Sequence, residues 1–144
     1  GRYPDALAAE IKAVRIDGRY AGAYLEAGHI RYFMKKYHKA LANYGLAVKF
    51  DSANPENFGG MGLGYFALGK YPEAIESFST AIALNPRDAE FYKNRAAVYA
   101  DMGKYENALA NFRTGSALNT DPQEVRDYNR LIEEAQARLA QSKP

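Results

Sequence analysis

Residues 64–71 have the spacing of a phosphate-binding loop, in which backbone N–H groups and a lysine hold nucleotide phosphates. Lys70 stands at the lysine position, but Tyr71 occupies the place of the serine or threonine that would bind Mg²⁺. Residues 62–67 also fit a dinucleotide-binding fingerprint. That loop must follow a buried strand, and residues 55–58 do not resemble one. We therefore expect no nucleotide cofactor.

The two histidines do not form a metal-site pattern. His29 and His38 lie nine residues apart on different predicted helices, and neither belongs to a His-x-x-x-His or Glu-x-x-His pair. The chain contains no cysteine, which excludes a thiol nucleophile, a thiolate ligand and a disulfide. There is no Gly-x-Ser-x-Gly elbow, and the carboxylates are scattered. We expect no metal, no cofactor and no enzymatic activity.

A turn followed by an amphipathic helix recurs at a fixed spacing of 34 residues. The turns are marked by Gly1-Arg2-Tyr3, Lys35-Lys36-Tyr37, Gly69-Lys70-Tyr71 and Gly103-Lys104-Tyr105. Second helical segments lie between these units. A fixed period of this length indicates a repeat array.

Large and small side chains recur at fixed positions of the repeating unit, with aromatic rings at the large positions and glycine or alanine at the small ones. These positions are Tyr24, Phe58 and Tyr92; Gly28, Gly62 and Ala96; Ala40, Ala74 and Ala108; and Tyr44, Phe78 and Phe112. Together with Pro86 near the end of one unit, the pattern resembles the tetratricopeptide repeat, a helix-turn-helix of 34 residues. The resemblance covers nearly the whole chain.

The resemblance implies an all-α fold, a right-handed α-solenoid of helix-turn-helix repeats with a C-terminal capping helix. The residues support helices independently, because the apolar positions between Tyr71 and Ile82 fall on one helical stripe that a single repeat cannot bury. We predict helices at about 3–16, 21–34, 37–50, 55–68, 71–84, 89–102, 105–118 and 122–140.

The predicted domain is a single one over residues 1–144. Residues 1–20 contain the second helix of an incomplete repeat, and complete repeats span 21–54, 55–88 and 89–122. Residues 123–144 form the capping helix and tail.

Three features depart from the repeat pattern. Arg31 replaces a tyrosine and Lys35 replaces the turn glycine, so we expect the first complete repeat to be distorted. Gly59 and Gly60 have no packing role in the pattern, and glycines inside a helix are unfavourable. They either leave room for a ligand or permit tight contact with His29 or Tyr32 of the neighbouring repeat. If they leave room for a ligand, Gly60→Ala should stabilise the free protein.

In this family the first helix of each repeat lines a concave groove. The positions that this resemblance assigns to partner binding are Leu25, His29, Tyr32, Phe33, Glu56, Gly59, Leu63, Phe66, Glu90, Lys93, Asn94, Ala97, Glu124, Asp127 and Leu131. The implied function is a non-catalytic scaffold that binds a peptide or protein segment in the groove. Self-assembly into a homo-oligomer, with a homodimer through the N-terminal helix, and a regulatory role within a larger protein remain open alternatives.

One variant of the family, the carboxylate clamp of heat-shock co-chaperones, binds an acidic C-terminal peptide. Only Asn94 matches it here, because Gly59, Leu63, Glu124 and Tyr128 occupy the other positions of the clamp. We therefore expect no such clamp.

Three glutamates, Glu56, Glu90 and Glu124, repeat along one edge of the predicted groove. They fit a ligand with apolar anchors and basic flanks. They equally fit capping of helix N-termini, where acidic side chains interact favourably with the helix dipole.

The formal charge of the chain is +2, and acidic and basic residues are interspersed. This balance disfavours nucleic acid and anionic lipid as partners. No apolar run is long enough to span a membrane. With no cysteine the redox compartment is open: the sequence favours the cytoplasm only slightly, and the periplasm remains an alternative.

Overall fold

The computed structural model of the chain describes residues 3–6, 8, 12 and 20–144. Residues 20–144 contain seven α-helices: α1 (Ala21–Phe33), α2 (Tyr37–Phe50), α3 (Pro55–Ala67), α4 (Tyr71–Leu84), α5 (Ala89–Asp101), α6 (Tyr105–Leu118) and α7 (Pro122–Ser142). The all-helical prediction is confirmed, and each of these helices ends within two residues of its predicted bounds. The helix predicted at 3–16, and the homodimer contact expected of it, lie largely outside the described residues.

Side-chain caps define where three of the helices begin. The Asn54 side chain accepts a hydrogen bond from the backbone N–H of Glu56 at 3.0 Å, and Asp88 does the same for Glu90 at 3.0 Å. Asp121 accepts from the N–H groups of Gln123 and Glu124. These bonds satisfy N–H groups that have no partner within the helix. The starts of α3 at Pro55 and of α7 at Pro122 agree with the predicted bounds.

The turns between paired helices share one backbone conformation. Lys35, Gly69 and Gly103 all have positive φ angles, of 59°, 71° and 73°. The hydrogen bonds around them also correspond, because Lys36, Lys70 and Lys104 each donate a backbone N–H to a carbonyl five residues earlier. The expected distortion of the first complete repeat is therefore wrong for this turn, since Lys35 adopts the backbone geometry that glycine adopts in the other two.

The chain divides into two compact units, residues 1–84 and 85–144. In the N-terminal unit, α1 packs on α2, α3 on α4, and α2 on α3. The fully buried ring of Tyr44 on α2 lies against Gly28 and Gly60, and the fully buried ring of Phe78 lies against Gly62. A Cβ atom at Gly60 would be 2.4 Å from Cδ1 of Tyr44. The expectation that Gly60 leaves room for a ligand is therefore wrong, because Tyr44 already fills that space.

A buried amide joins α2 to α3. Asn57 is fully buried, and its Nδ2 donates to the carbonyl oxygens of Ala47 at 3.2 Å and Asp51 at 2.8 Å. These two carbonyls lie at the C-terminal end of α2, where the last carbonyls of a helix have no partner within it. Asn57 thereby fixes the start of α3 to the end of the preceding helix.

In the C-terminal unit, α5 packs on α6 and α6 on α7. Tyr128 of α7 is fully buried, and its ring lies against Gly115 of α6. Its hydroxyl donates to the carbonyl oxygen of Ala89 at 2.8 Å. The buried core of this unit also contains Ala96, Ala108, Leu109, Phe112 and Ala135. Helix α7 thus covers the pair formed by α5 and α6, as predicted for a capping helix.

None of the helices in the described part of the chain combines the length and the apolar character that a membrane span requires.

Lys35→Gly should stabilise the protein by about 1 kcal/mol, because a left-handed backbone conformation is unfavourable for any residue with a Cβ atom. The reverse exchange at the matching turn, Gly69→Lys, should destabilise it by a similar amount. Urea denaturation of the two variants and the wild type measures both effects. A lower midpoint for Lys35→Gly would contradict the strain argument.

Gly60→Ala should destabilise the protein by about 1 to 3 kcal/mol, the usual effect of overpacking a tight contact, because Tyr44 is fully buried and cannot move away easily. Gly45→Ala is the matched control. Gly45 lies inside α2 with no atom within 4 Å of its would-be Cβ, so alanine there should stabilise by about 0.5 to 1 kcal/mol. Thermal unfolding measures the melting temperatures of both variants. Equal changes in melting temperature would exclude the proposed clash at Gly60.

Candidate functional site

Helix α1 carries a half-buried stripe that its packing with α2 covers only in part. Ala23, Ala27 and Gly28 are buried, whereas Leu25, His29 and Tyr32 keep part of their surface exposed. Spacings of four and three residues place these last three on one side of the helix. Phe33, the last residue of α1, is 65% exposed. Phe33 therefore extends the accessible apolar surface of the stripe to the end of the helix.

His29 is held by a partner that the sequence pattern did not indicate. Its Nδ1 and the hydroxyl of Tyr44 are 3.0 Å apart, and the two rings meet edge to face with centroids separated by 5.3 Å. Burial lowers the pKa of His29, and the negative charge of Glu26 opposes that shift. Burial also raises the pKa of Tyr44, with smaller contributions from Tyr32 and Glu26. The fold therefore favours a neutral, oriented imidazole at this position.

Helix α3 contributes fewer exposed side chains than predicted. Leu63 and Phe66 are half-buried, and the ring centroid of Phe66 lies 6.1 Å from that of Tyr71. Glu56 is exposed in the first turn of the helix, but Gly59 is buried. In the N-terminal unit the predicted binding positions with accessible apolar surface are Leu25, His29, Tyr32, Phe33, Leu63 and Phe66, which we call the aromatic surface.

The predicted binding positions of the C-terminal unit are polar. Lys93 Nζ lies 2.5 Å from Glu90 Oε1 and 4.0 Å from Glu124 Oε2. It also lies 5.7 Å from the centroid of the Tyr128 ring. Two of the three glutamates in the predicted row are therefore partly neutralised by a lysine between them. An exposed ion pair of this kind contributes little to stability.

The other predicted positions of this unit lie on α5 and α7. Asn94, Ala97, Asp127 and Leu131 are all half-buried. The carboxylate of Asp127 lies 3.7 Å from the Arg130 guanidinium, and Leu131 packs against the core of the unit. Much of the apolar surface of Leu131 is thus already used in folding.

The repeat architecture agrees with comparisons to known proteins. A tetratricopeptide repeat model matches residues 21–54 and 89–122, and a TPR repeat model matches residues 62–103. Together the matches cover well over half of the chain. The chain belongs to the tetratricopeptide-repeat family.

A relative with a known role matches this tetratricopeptide-repeat chain over a short region. The Hsp70-Hsp90 organizing protein of Triticum aestivum is 31% identical over 61 residues, which are 42% of this chain and 10% of that protein. The match thus spans about a tenth of the relative's length.

Solved structures of tetratricopeptide-repeat proteins share the fold. The crystal structure of MamA is 19% identical with a TM-score of 0.77, covering 98% of this chain and 91% of that one. The TPR2B domain of yeast Sti1, solved in a complex with pHsp70, is 18% identical with a TM-score of 0.76, covering 81% and 96%. The first TPR of Spaghetti (RPAP3), bound to the HSP90 peptide SRMEEVD, is 24% identical with a TM-score of 0.77, covering 86% and 96%.

Lowering the pH should destabilise the protein through His29. Its folded pKa is below the ordinary value near 6.5, so the unfolded chain binds a proton first as the pH falls. The contribution is fully present above about pH 6.5 and is lost between that pH and the lowered folded pKa. Urea midpoints from pH 8 to pH 5 should fall for the wild type and change less for His29→Gln. His38→Gln, at an exposed position, is the control, and an equal pH dependence of the wild type and His29→Gln would contradict this assignment.

Proposed function

We propose that the chain is a non-catalytic interaction module whose first helices in the N-terminal unit, α1 and α3, bind an extended or helical segment of a partner protein. The observation that carries this proposal is the aromatic surface. Its six residues keep apolar area exposed on α1 and α3, although the other sides of both helices are buried against α2 and α4. Exposed apolar and aromatic side chains that cluster are typical anchors of protein interfaces.

The similar structures support binding of peptides by this fold. The Sti1 domain was solved with pHsp70 and the RPAP3 domain with an HSP90 peptide. These proteins are less than 25% identical to this chain, so their ligands do not transfer with the fold. The similarity nevertheless makes a peptide or protein segment the first class of ligand to test.

The clamp positions of this chain differ from those of an acidic-peptide clamp. Tyr128, at one of them, has its ring buried against Gly115 and its hydroxyl bonded to Ala89. Its side chain is therefore a packing element of the C-terminal unit. Leu63, at another, is apolar and half-buried. The expected ligand uses apolar anchors on the first helices, because the clamp positions do not supply the cations that would hold a carboxylate.

The one oriented imidazole of the site also favours binding over chemistry. His29 shares a hydrogen bond with Tyr44, whose pKa is raised by burial. A phenol with a raised pKa is a poor nucleophile near neutral pH, since little of it is ionised. The pair therefore holds the ring in place on the aromatic surface, where an imidazole can contact a ligand.

Leu63→Glu should weaken binding at least tenfold, because it places a charge among apolar anchors that a ligand must desolvate. The probe is a set of 12-residue peptides selected on the wild-type chain from a random phage-displayed library, with affinities measured by fluorescence anisotropy. Ala42→Glu, which introduces the same charge at an exposed site on α2, is the control and should leave binding unchanged. Equal affinities of the folded Leu63→Glu variant and the wild type would show that another surface binds the peptides.

A further inference from the structure

The turn between α1 and α2 has the same backbone as the other two turns but very different side chains. In it Phe33 stands where the other repeats have Ala67 and Asp101. Each of the other differences introduces a lysine or a histidine. Lys35 replaces Gly69 and Gly103, His38 replaces Pro72 and Glu106, and Lys39 replaces Glu73 and Asn107. We call Phe33, Lys35, Lys36, His38 and Lys39 the basic turn.

Each of these differences is unfavourable for folding. Lys35 has a φ of 59°, a conformation in which glycine is preferred. Lys39 and His38 lie in the first turn of α2, which carries no acidic residue, whereas α4 and α6 carry Glu73 and Glu106 there. Positive charge at a helix N-terminus opposes the helix dipole.

Phe33 adds a third unfavourable feature, because 65% of its surface is exposed to water. Residues that break local rules without a folding benefit are expected at functional sites. Three such departures meet at one turn here, while the other turns of the same backbone geometry show none of them.

No ion pair within the described residues balances the positive charge of the basic turn. Between Glu26 and Asp51 the sequence contains no acidic residue. In the described part of the chain, the recorded ion pairs are those of Lys93 and Arg130 in the C-terminal unit. Lys35, Lys36, His38 and Lys39 are all exposed. The neighbouring Arg31 donates instead to the amide oxygen of Asn43.

The basic turn is continuous with the aromatic surface. The ring of Tyr32 lies 5.9 Å from that of Phe33 and 5.4 Å from that of Tyr37, measured between centroids. A segment bound along Leu25, His29 and Tyr32 would therefore reach Phe33 and the turn that follows it, which contains Lys35 and Lys36.

We propose that the basic turn binds acidic residues of the partner segment, next to an apolar residue that packs on Phe33. This inference rests on the proposed function and names the chemistry of its ligand. Complementary charge favours an acidic segment, and it would act mainly on specificity and association rate. The lysines lie outside the clamp positions, so this acidic recognition differs from that of a carboxylate clamp.

An anionic membrane is a weaker candidate ligand of the basic turn than an acidic protein segment. A lysine near an anionic surface raises affinity about fivefold, so three lysines raise it about a hundredfold. A hundredfold gain still leaves membrane binding well below that given by one myristoyl chain, which is itself a marginal anchor. A protein segment adds apolar contacts along the aromatic surface that a bilayer surface does not offer in the same arrangement.

The test compares peptides selected from a random 12-residue phage library on the full wild-type chain and on the double variant Lys35→Gly/Lys39→Glu. This variant restores residues that stand at the matching turn of α3 and α4, so it should fold at least as stably as the wild type. We expect an excess of Asp and Glu next to apolar residues in the wild-type selection and no such excess for the variant. A wild-type-selected peptide should bind the variant about tenfold more weakly at low salt, with a smaller loss of affinity as salt is added.

The outcomes separate this inference from the proposed function. Peptides that require Leu63 but show no acidic excess, or that bind the double variant as tightly as the wild type, would overturn the basic turn and leave the aromatic surface intact. The absence of any enriched peptide would overturn both. Sedimentation with phosphatidylserine-containing vesicles tests the membrane as the alternative ligand. If the wild type binds these vesicles, the double variant does not, and the selected peptides show no acidic excess, the basic turn binds a membrane rather than a partner segment.

Discussion

The structure depends on contacts in which an aromatic ring lies against a glycine that has no room for a Cβ atom. Tyr44 lies against Gly28 and Gly60, and Tyr128 lies against Gly115, with would-be Cβ atoms 2.4 to 2.6 Å from ring carbons. Because ring and backbone touch directly, the distance between the paired helices has little freedom. This contact offsets the unfavourable helix propensity of the glycines. The side of each helix that carries such a contact is buried against its neighbour, and we call it the committed side.

The side that packing does not use is where function can reside. On α1 the committed side contains Ala23, Ala27 and Gly28, and the remaining side contains Leu25, His29 and Tyr32. His29 belongs to both, because its Nδ1 is bonded to the same Tyr44 that packs on Gly28. A change at the aromatic surface is thereby linked to the core of the repeat, and pH acts on both through one imidazole.

Most of the fold follows from the sequence, because helix period, caps and the 34-residue repeat act locally. The caps at Asn54 and Asp121 and the stripe of α7 containing Tyr128 and Ala135 are found where local chemistry places them. The role of Gly60 could not be derived in this way, since Tyr44 reaches it from another repeat. A pattern read along one helix does not show which ring will approach from its neighbour.

The candidate site was less accessible to sequence reasoning than the fold. The family resemblance gives the positions of the first helices, but it does not show that Gly59 is buried or that Lys93 lies between Glu90 and Glu124. A net charge of +2 also conceals the cluster at Lys35 and its neighbours. The sequence signal for this cluster is the long interval after Glu26 without an acidic residue. The net charge of the whole chain does not reveal such a local excess.

The contact between Tyr128 and Ala89 has a consequence for how the chain is made. In the N-terminal unit, Tyr44 lies midway in sequence between its two glycines, so one contact forms within its own hairpin and the other with the helix that follows. The carbonyl oxygen of Ala89, at the start of α5, instead accepts a hydrogen bond from a hydroxyl that is added 39 residues later. During translation the hairpin of α5 and α6 therefore emerges with one apolar face uncovered, and remains so until the ribosome has released α7. In the growing chain that interval is when the nascent C-terminal unit is most open to aggregation or to capture by a chaperone.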